Sequence, residues 1–384
     1  MTAVAIIGSA WGDEGKGLMT DYFSNSNSIV CRYNGGSQAG HTVVTPDGKQ
    51  HVFHHIGSGG FRGATTLLSR YFISNPILFN DEIGFDTSQR IIADGRGLVT
   101  TPYDMMINQI IEESRGDNRH GSCGVGINET LKRSVVFPLT IDDIWKATRI
   151  ERILETIKQE WIPSRLQKLN LSPSKAWIKR LDNAHIIDNF VELAMAFHET
   201  IYVENDEAII DTVEDVIFEG AQGLLLDQNH EFFPHVTPSN TGLRNPAYLA
   251  SKAGIEELEV VYVTRAYTTR HGAGPFPWED TSLRYADETN IPNMWQGNLR
   301  FGYLDLDLLG KTIEADLRMG GELRIRPSIA ITCMDQIGTK VKVAVEGSLI
   351  EIDADQLPEL VERNTGIEVK YLSYGRTRDD VKIS

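Results

Sequence analysis

The chain of 384 residues has few cysteines, which argues against a structural zinc site. Its three cysteines, Cys31, Cys123 and Cys333, are an odd number and lie far apart, and no CxxC pair occurs. Structural zinc sites are usually recognised by closely spaced cysteine pairs. With so few cysteines, a reduced, cytoplasmic compartment is the default expectation.

The sequence also lacks an excess of positive charge. Lys plus Arg number 37 against 53 for Asp plus Glu, so the formal net charge is −16. Proteins that bind nucleic acid or anionic membranes in general rely on surplus positive charge. We therefore expect neither partner. A nucleotide site remains compatible, because it needs only a few local cations and backbone N–H groups.

Long apolar runs are missing as well. No run is long enough to span a bilayer, and the N-terminus lacks the basic start and long apolar segment of a secretory signal. The composition, 41% hydrophobic and 23% charged, is ordinary for a globular protein.

Short apolar runs predict strands that are buried on both faces. They occupy Val4 to Ile7, Val216 to Phe218 and Val260 to Val263, and each leads into a loop rich in glycine and polar residues. Continuous runs of this kind are typical of parallel sheets. In such sheets ligands bind beyond the carboxyl ends of the strands, so these loops are the first candidates for a site.

Helical spacing of apolar residues occurs between these runs. One helix is expected to start at Pro102, and further patterns cover Ile141 to Trp161, Ile186 to Ile201 and Leu306 to Leu317. We assign the Trp and Phe residues of these patterns, Trp145 among them, to the helix core.

Buried strands alternating with helices predict an α/β fold: a mostly parallel central sheet flanked by helices, with helical insertions. The sequence has no internal repeat and no clear linker, so we expect one large domain over residues 1–384. The stretch from about Asp142 to Thr200 is the best candidate for an added helical layer.

The segment GDEGKG follows the first predicted strand and occupies residues 12–17. Its glycines let the backbone approach phosphate closely, and its lysine adds a positive charge. It resembles a Walker A loop but departs from it, since Ala10 stands where the first glycine should be and Gly17 replaces the Mg²⁺-binding Ser or Thr. A tight turn alone would not need two carboxylates among three glycines. We therefore predict a phosphate loop of another kind.

Four later segments have the composition of ligand loops. His41 lies in the glycine-rich segment NGGSQAGHT, where it can act as a general acid or bind a phosphoryl oxygen. Gln222, in FEGAQG, suits a purine edge, although a polar turn at a strand end explains it as well. The segment TPSNT at 237–241 offers hydroxyls to a monophosphate, and TTRHGAGPFP at 268–277 predicts a rigid, unusual backbone path.

The ordered set GDEGKG, GGxxAGHT, FEGAQG, VTxSNT and TRxGxGPFP resembles adenylosuccinate synthetase, from Val4 to about Arg378. The resemblance implies a C–N bond-forming ligase. In this family a nucleoside triphosphate phosphorylates O6 of a purine nucleotide, and the amine of L-aspartate then displaces phosphate from C6. It also implies Mg²⁺ and a homodimer.

The resemblance assigns three catalytic residues. Asp13 removes the N1 proton and touches Mg²⁺, His41 binds the phosphoryl group in transit, and Lys16 holds donor phosphates. The Gly40 carbonyl is a second Mg²⁺ ligand. The residues implied at the phosphate donor are Gly12, Glu14, Gly15, Lys16, Gly17, Gly40, Thr42, Asp335, Ser373 and Gly375. Those implied at the purine nucleotide are Gln38, Ser122, Cys123, Arg133, Gln222, Thr237 and His271, with Lys132 as an alternative to Arg133 across the dimer. Those implied at aspartate are Gly297, Asn298 and Arg300.

The sequence departs from the family pattern in both nucleotide sites. Cys333 replaces the lysine of the guanine-recognising motif, so ATP or dATP becomes the expected donor in place of GTP. His271 replaces Val and Asn298 replaces Arg near the ribose hydroxyls, and the loss of a 2′-OH partner removes the preference for a ribonucleotide. These changes fit the viral 2-aminoadenylosuccinate synthases, which act on dGMP. An intact Asp13 fits that branch less well.

We therefore predict that the chain joins L-aspartate to dGMP with ATP or dATP as the phosphate donor. If the chain is viral, the expected location is the host cytoplasm. The alternatives are an ordinary adenylosuccinate synthetase using IMP and GTP, a non-catalytic nucleotide-binding regulator, and a phosphate-loop hydrolase. Intact Asp13, Lys16 and His41 speak against the regulator, and a hydrolase would leave the TRxGxGPFP segment without a role.

Overall fold

A computed structural model of the chain describes residues 2–82, 84, 90–116, 121–287 and 298–384. The strands are β1 (Thr2–Gly8), β2 (Ser28–Arg32), β3 (His41–Val44), β4 (Gln50–Phe53), β5 (Thr65–Leu68), β6 (Ile91–Ala93), β7 (Ile201–Val203), β8 (Asp215–Gly223), β9 (Glu257–Arg265), β10 (Thr268–Arg270), β11 (Arg300–Gly302), β12 (Leu304–Asp305), β13 (Arg324–Thr332), β14 (Lys340–Val345), β15 (Ser348–Asp353), β16 (Val369–Ser373) and β17 (Val381–Ile383). The helices are α1 (Lys16–Phe23), α2 (Pro76–Phe79), α3 (Pro102–Ser114), α4 (Ile127–Ser134), α5 (Ala147–Thr156), α6 (Ile162–Lys168), α7 (Lys175–Leu181), α8 (His185–Thr200), α9 (Asp206–Ile210), α10 (Arg244–Lys252), α11 (Leu306–Leu317) and α12 (Leu357–Thr365).

A ten-stranded sheet in the order β17-β16-β13-β9-β1-β8-β2-β5-β6-β7 forms the centre of the described chain. Neighbouring strands from β16 to β7 pair in parallel, and the edge strand β17 pairs antiparallel with β16. The predicted α/β fold with a mostly parallel sheet is confirmed. All three predicted strands lie in this sheet, as parts of β1, β8 and β9.

The sheet is buried on both faces, as the continuous apolar runs predict. Along β1, Ala3, Ala5 and Ile7 pack into one hydrophobic cluster. The alternate residues Val4 and Ile6 pack into another. Successive side chains of a strand point to opposite faces, so both faces of β1 contact apolar layers.

Local sequence explains where the helices begin. Thr101 caps α3 through a reciprocal capping box with Asp104, and Pro102 occupies the first turn as predicted. The predicted pattern from Ile141 to Trp161 is divided: α5 and α6 are joined by a π-helical turn at Ile157–Trp161. The assignment of Trp145 to the core is wrong, because this residue precedes the first residue of α5 and its side chain is 56% exposed.

The parallel strands place the motif loops along one edge of the sheet. β1 lies between β8 and β9. The segment GDEGKG follows the carboxyl end of β1, AQG forms the carboxyl end of β8, and β9 leads into the segment that starts at Ala266. Among the described residues, no helix has the length and apolar character needed to cross a bilayer.

Candidate active site

The phosphate loop is organised from within by Glu14. Its Oε1 accepts hydrogen bonds from the Ala10 N–H at 3.0 Å and the Gly12 N–H at 2.7 Å, and its Oε2 lies 2.6 Å from Lys16 Nζ. Both charged side chains are almost fully buried. The carboxylate of Glu14 therefore uses the loop donors itself. The Glu14 side chain therefore supports the loop, and the predicted place of Glu14 at the donor phosphates stays a prediction.

Two glycines are needed for this packing. A Cβ atom on Gly8 would lie 2.3 Å from Glu14 Oε2 and 2.7 Å from Lys16 Nζ. Gly15 has φ of 99°, in the left-handed region that favours glycine. The carbonyl of Glu14 accepts a hydrogen bond from Thr332 Oγ1 at 2.7 Å, so the loop is tied to the end of β13.

Asp13 is held at both its backbone and its side chain. It has φ of 61°, which is uncommon for a residue with a side chain. Arg265 Nε donates to the Asp13 carbonyl at 2.5 Å, and His271 Nε2 lies 3.1 Å from Asp13 Oδ2. Burial acts to raise the pKa of Asp13, but the hydrogen bond and charge of His271, helped by Arg265 and Lys16, outweigh it and lower the pKa to about 2. The carboxyl is therefore ionised at neutral pH.

His41, the first residue of β3, is paired with the buried carboxylate of Glu219. The His41 Nδ1 to Glu219 Oε1 distance is 2.5 Å. Glu219 also accepts from the Ser58 N–H at 3.0 Å and from the Ser58 hydroxyl, and Arg32 Nε lies 3.8 Å from its Oε2. Motif analysis selected Gln222 from FEGAQG and missed Glu219 in the same motif; a carboxylate at the end of a buried strand was the available signal.

This arrangement determines which ring nitrogen of His41 faces a ligand. Burial acts to raise the pKa of Glu219, but the charges of Arg32 and His41 lower it to about 2. Burial lowers the pKa of His41, with Glu219 opposing that shift. An ionised carboxylate can only accept, so Nδ1 carries the proton and Nε2 is the nitrogen left for a ligand. Glu219 would also stabilise the imidazolium if His41 gained a second proton.

A cavity of about 500 Å³, which we call the His41 cavity, brings the predicted motifs together. Its lining includes Asp13, Gln38, His41, Gln222 and His271. These residues come from four separate segments of the chain. The sequence motifs therefore converge on one site, although no distance between them was predictable.

A second cavity of about 520 Å³, which we call the Cys333 cavity, adjoins the first. The residues common to both linings are Asp13, Gly15, Thr42 and Arg265. The remaining lining includes Asp335 and Gly375, which were predicted to bind the phosphate donor. It also includes Cys333, which replaces the lysine of the guanine-recognising motif. Ser373 is buried beneath it, where its hydroxyl donates to the Gly375 carbonyl at 2.8 Å.

Tyr285, which motif analysis missed, lines the Cys333 cavity and stacks on the buried Tyr267. The rings of Tyr267 and Tyr285 stack with centroids 3.7 Å apart and planes 6° from parallel. Tyr267 Oη donates to Gln336 Oε1 at 2.6 Å, and Arg265 donates to Tyr267 Oη at 3.1 Å. This network joins Arg265, which lines both cavities, to Tyr267 and Gln336.

The predicted monophosphate loop is anchored through Ser239. Its hydroxyl accepts from Asn34 Nδ2 at 3.1 Å and from the Gly35 N–H at 3.2 Å. Thr237 lies in the same loop, where its N–H donates to the Leu226 carbonyl at 2.8 Å. Leu226 lines the His41 cavity. Thr237 is therefore near the site through its neighbour. Ser239 and Asn34 belong to two segments that the sequence singled out as ligand loops, but the contact between them was not predicted.

The Ser122-Cys123 loop approaches the turn that follows His271. A Cβ atom on Gly121 would lie 2.8 Å from Gly272 Cα. Asn108 Nδ2 donates a hydrogen bond to Ser122 Oγ at 3.0 Å. The Ser122-Cys123 loop therefore packs against the turn that follows His271, and His271 itself lines the His41 cavity.

Arg133 does not present a free guanidinium to a partner subunit. Its side chain is fully buried, with Nε 3.0 Å from Asp104 Oδ1 and with hydrogen bonds to the carbonyls of Phe137 at 2.7 Å and Val99 at 2.8 Å. The assignment of Arg133 to the nucleotide is thus corrected to a structural role. Lys132, with 45% of its side chain exposed, is the accessible one of the two predicted cations.

Arg300 was predicted to bind the substrate carboxylate, but in this structure it forms an ion pair with the carboxylate of Glu279. Its Nε and NH2 atoms lie 2.8 Å and 2.5 Å from the two oxygens of Glu279. Its NH1 donates to the carbonyls of Gly272 and Gly274 at 3.2 Å and 3.0 Å. A substrate carboxylate would have to replace Glu279. Asn298 is exposed nearby in sequence, and Gly297 lies outside the described residues.

The predicted Mg²⁺ ligands fit that ion by their chemistry. Asp13 and Gly40 both line the His41 cavity and offer a carboxylate and a carbonyl oxygen. In the described ranges no cluster of three or more His, Cys, Asp or Glu side chains could hold a metal. Mg²⁺ does not require one, since it usually takes one or two carboxylates and completes its shell with water and substrate phosphates.

Comparison with known proteins agrees with the motifs. The adenylosuccinate synthetase family model matches residues 5–371. The adenylosuccinate synthetase of Brevibacillus brevis is 35% identical over 295 residues, which cover 72% of this chain and 65% of the relative. That of Streptococcus gordonii is 33% identical over 294 residues, covering 73% of this chain and 65% of the relative. The match thus spans less than two thirds of these relatives.

Two solved structures share the fold. The fully ligated adenylosuccinate synthetase of Plasmodium falciparum superposes with a TM-score of 0.79 at 18% identity and covers 100% of both chains. The succinoaminodeoxyadenylate synthetase of cyanophage S-2L, bound to dGMP and dATP, has a TM-score of 0.65 at 16% identity and covers 100% of this chain and 95% of the other. At these identities the two structures support the fold alone, whereas the family model covers nearly the whole chain. The chain belongs to the adenylosuccinate synthetase family.

Proposed function

We propose that the chain joins L-aspartate to C6 of dGMP at the expense of ATP or dATP, giving 2-amino-2′-deoxyadenylosuccinate. The observation that carries the proposal is the pair of cavities that meet at Asp13 and Gly15. One nucleotide in each would place the terminal phosphate of the donor beside the purine ring of the acceptor. Family membership supports the reaction type.

The shared wall supports direct transfer between two bound nucleotides. A phosphoryl group passing from the Cys333 cavity to the His41 cavity would cross the surface formed by Asp13, Gly15 and Thr42. Arg265 lies at the same surface and supplies positive charge. Positive groups fixed where negative charge develops are the main means by which proteins accelerate phosphoryl transfer.

The chemistry divides into two steps. In the first, Asp13 takes the N1 proton, O6 attacks the terminal phosphorus, and the nucleoside diphosphate leaves. In the second, the aspartate amine attacks C6, inorganic phosphate departs with O6, and the amine loses a proton. Guanine and hypoxanthine share the N1–H and O6 that these steps need, so the chemistry is the same for either base.

His41 and the metal have supporting roles in this proposal. The Nε2 atom of His41 would hydrogen-bond the phosphoryl group, with Glu219 stabilising a proton on the ring. Asp13 and the Gly40 carbonyl would hold Mg²⁺, which neutralises charge on the donor phosphates. A Lys16 side chain released from Glu14 would add to that neutralisation.

The donor preference follows from the Cys333 cavity. Cys333 and Asp335 both line it, so the position that holds the guanine-stacking lysine in the family faces the expected base site. A cysteine cannot supply that cation. ATP or dATP is therefore favoured over GTP, and the cyanophage neighbour is bound to dATP.

Preference for dGMP rests on the residues around the purine. Gln38 lines the His41 cavity and replaces the family's Asn. The cyanophage neighbour is bound to dGMP. The second candidate is an ordinary adenylosuccinate synthetase using IMP and GTP. Six bacterial relatives, at 31% to 35% identity, are named adenylosuccinate synthetase, and Asp13 is intact.

A crossed phosphate-release assay tests the proposal. Purified chain, Mg²⁺ and L-aspartate are combined with dGMP or IMP and with ATP or GTP, and the product is identified by mass spectrometry. Release that requires both aspartate and dGMP, with ATP better than GTP, is expected. Release only with IMP would establish the second candidate. Release without aspartate would contradict a ligase, and omission of aspartate from each mixture is the matched control.

The oligomeric state belongs to the same proposal. The family resemblance implies a homodimer in which a cation of one subunit reaches the nucleotide of the other, and Lys132 is the accessible candidate. Mixing Lys132→Ala subunits with subunits inactivated by His41→Asn tests this. Partial recovery of activity in the mixture is expected if Lys132 acts across the interface, and no recovery would contradict it.

A further inference from the structure

His271 contacts Asp13 directly, although the family resemblance places it near the sugar. The Nε2 to Oδ2 distance is 3.1 Å, and both side chains line the His41 cavity. A carboxylate oxygen accepts hydrogen bonds, so at this distance His271 donates through an Nε2–H. One oxygen of the Asp13 carboxylate is therefore occupied by the imidazole.

The turn that carries His271 is clamped on both sides. Arg300 NH1 donates to the carbonyls of Gly272 and Gly274 at 3.2 Å and 3.0 Å. Arg270, itself buried, donates to the Ala273 carbonyl at 3.1 Å. Two guanidinium groups thus hold three successive carbonyls directly after His271. A side chain that begins at so rigid a turn can fix the position of a group it contacts.

The backbone of Asp13 needs such support. Its φ of 61° is strained for a residue with a side chain, and such conformations persist only where the surroundings impose them. Arg265 Nε holds the Asp13 carbonyl at 2.5 Å. That bond fixes the peptide but leaves rotation of the carboxylate open. His271 supplies the missing restraint on the side chain.

We propose that His271 is a positioning residue that holds Oδ2 of Asp13 and thereby directs the other carboxylate oxygen towards the purine ring. The inference rests on the proposed function, in which Asp13 takes the N1 proton. It gives His271 a role in the chemical step and none in the choice between ribose and deoxyribose. Proton transfer in an active site depends strongly on the distance and angle between the two groups.

Steady-state kinetics of two substitutions separate the roles. In His271→Leu the N–H donor is lost, and kcat is expected to fall on the order of 10- to 100-fold, while KM for dGMP and the dGMP to GMP preference stay near those of the parent chain. In His271→Gln an N–H is retained at similar reach, and most of kcat is expected to return. His185→Gln, at the exposed start of α8, is the matched histidine control.

Two kinetic results would overturn the inference. Equal loss of kcat in His271→Leu and His271→Gln would show that the N–H is not what matters. A raised KM or an altered dGMP to GMP ratio with unchanged kcat would show that His271 binds the nucleotide itself.

A measurement without turnover keeps this test separate from the proposed function. Imidazole ¹⁵N–¹H spectra of the whole chain, with the His271 signal assigned through His271→Gln, should show an Nε2–H tautomer whose shifts change in Asp13→Asn. An unchanged His271 signal in Asp13→Asn would refute the contact. If the parent chain has no ligase activity, the proposed function fails, and these spectra still decide whether His271 holds Asp13.

Discussion

Replacing Glu219 by Gln tests the pairing beneath His41. Glu219 is completely buried and lies 2.5 Å from His41 Nδ1, so its charge acts on the ring with little screening by water. A glutamine has nearly the same shape and still accepts a hydrogen bond, but it cannot compensate positive charge on the imidazole. The change therefore removes the electrostatic part of the interaction and leaves the packing.

The size of the effect follows from the type of bond that is lost. Hydrogen bonds to charged groups contribute about 1.5–3 kcal/mol. At about 1.4 kcal/mol for each factor of ten in rate, kcat should fall by roughly 10- to 150-fold if the bond is fully used in the transition state. KM for both nucleotides should change little, because Glu219 itself does not line the His41 cavity.

The assay is aspartate-dependent phosphate release at saturating substrates, with thermal unfolding measured in parallel. Unfolding must be followed because Arg32, 3.8 Å from Glu219, loses its buried counter-charge. Ser58→Ala is the control, since it removes one donor to Glu219 and keeps the charge. A folded Glu219→Gln variant with kcat within about threefold of the parent chain would refute the reasoning.

Three further substitutions have definite expected outcomes. His41→Asn should remove most of kcat and leave nucleotide affinity, measured by calorimetry, nearly intact; turnover close to that of the parent chain would contradict the role of His41. Cys333→Lys should shift the ATP to GTP ratio of kcat/KM towards GTP, and an unchanged ratio would mean that the base is chosen elsewhere. Asp316→Asn concerns stability. Burial raises the pKa of the Asp316 carboxyl from 3.8 to about 6, so the folded state favours the protonated form. The contribution of this carboxyl to the free energy of unfolding is therefore fully present below pH 3.8 and is lost as the pH rises through 6. The neutral side chain should therefore raise the free energy of unfolding by about 3 kcal/mol at pH 8 and by little at pH 4, as measured by urea denaturation, and an equal effect at both pH values would contradict this.

The fold was predictable where one physical signal dominated. Val4 to Ile7 form a buried parallel strand because a continuous apolar run suits a sheet covered on both faces. The start of α3 followed from Thr101 and Pro102, which satisfy the free N–H groups of the first turn. Trp145 was misassigned because the helical pattern was extended across a boundary that no capping residue marks. Helix boundaries depend on tertiary packing as much as on the local sequence.

The sequence predicted which segments form the site, but it did not predict which side chains contact each other within it. Motif order indicated that Asp13, His41 and Gln222 belong together, and they line one cavity. The partners that determine their properties come from distant parts of the chain: Glu219 is 178 residues from His41. Glu14 supports the loop because its carboxylate reaches the Ala10 and Gly12 N–H groups. Such roles depend on distances that a sequence does not contain.

Isotope transfer from the purine tests the central claim most directly. dGMP labelled with ¹⁸O at position 6 is incubated with the chain, ATP, Mg²⁺ and L-aspartate, and the inorganic phosphate released is analysed by mass spectrometry. If the donor phosphorylates O6 and aspartate displaces the phosphate, each phosphate formed with product carries the label. Unlabelled phosphate, with the ¹⁸O retained on the purine or released to water, would contradict a reaction through a 6-phosphoryl nucleotide.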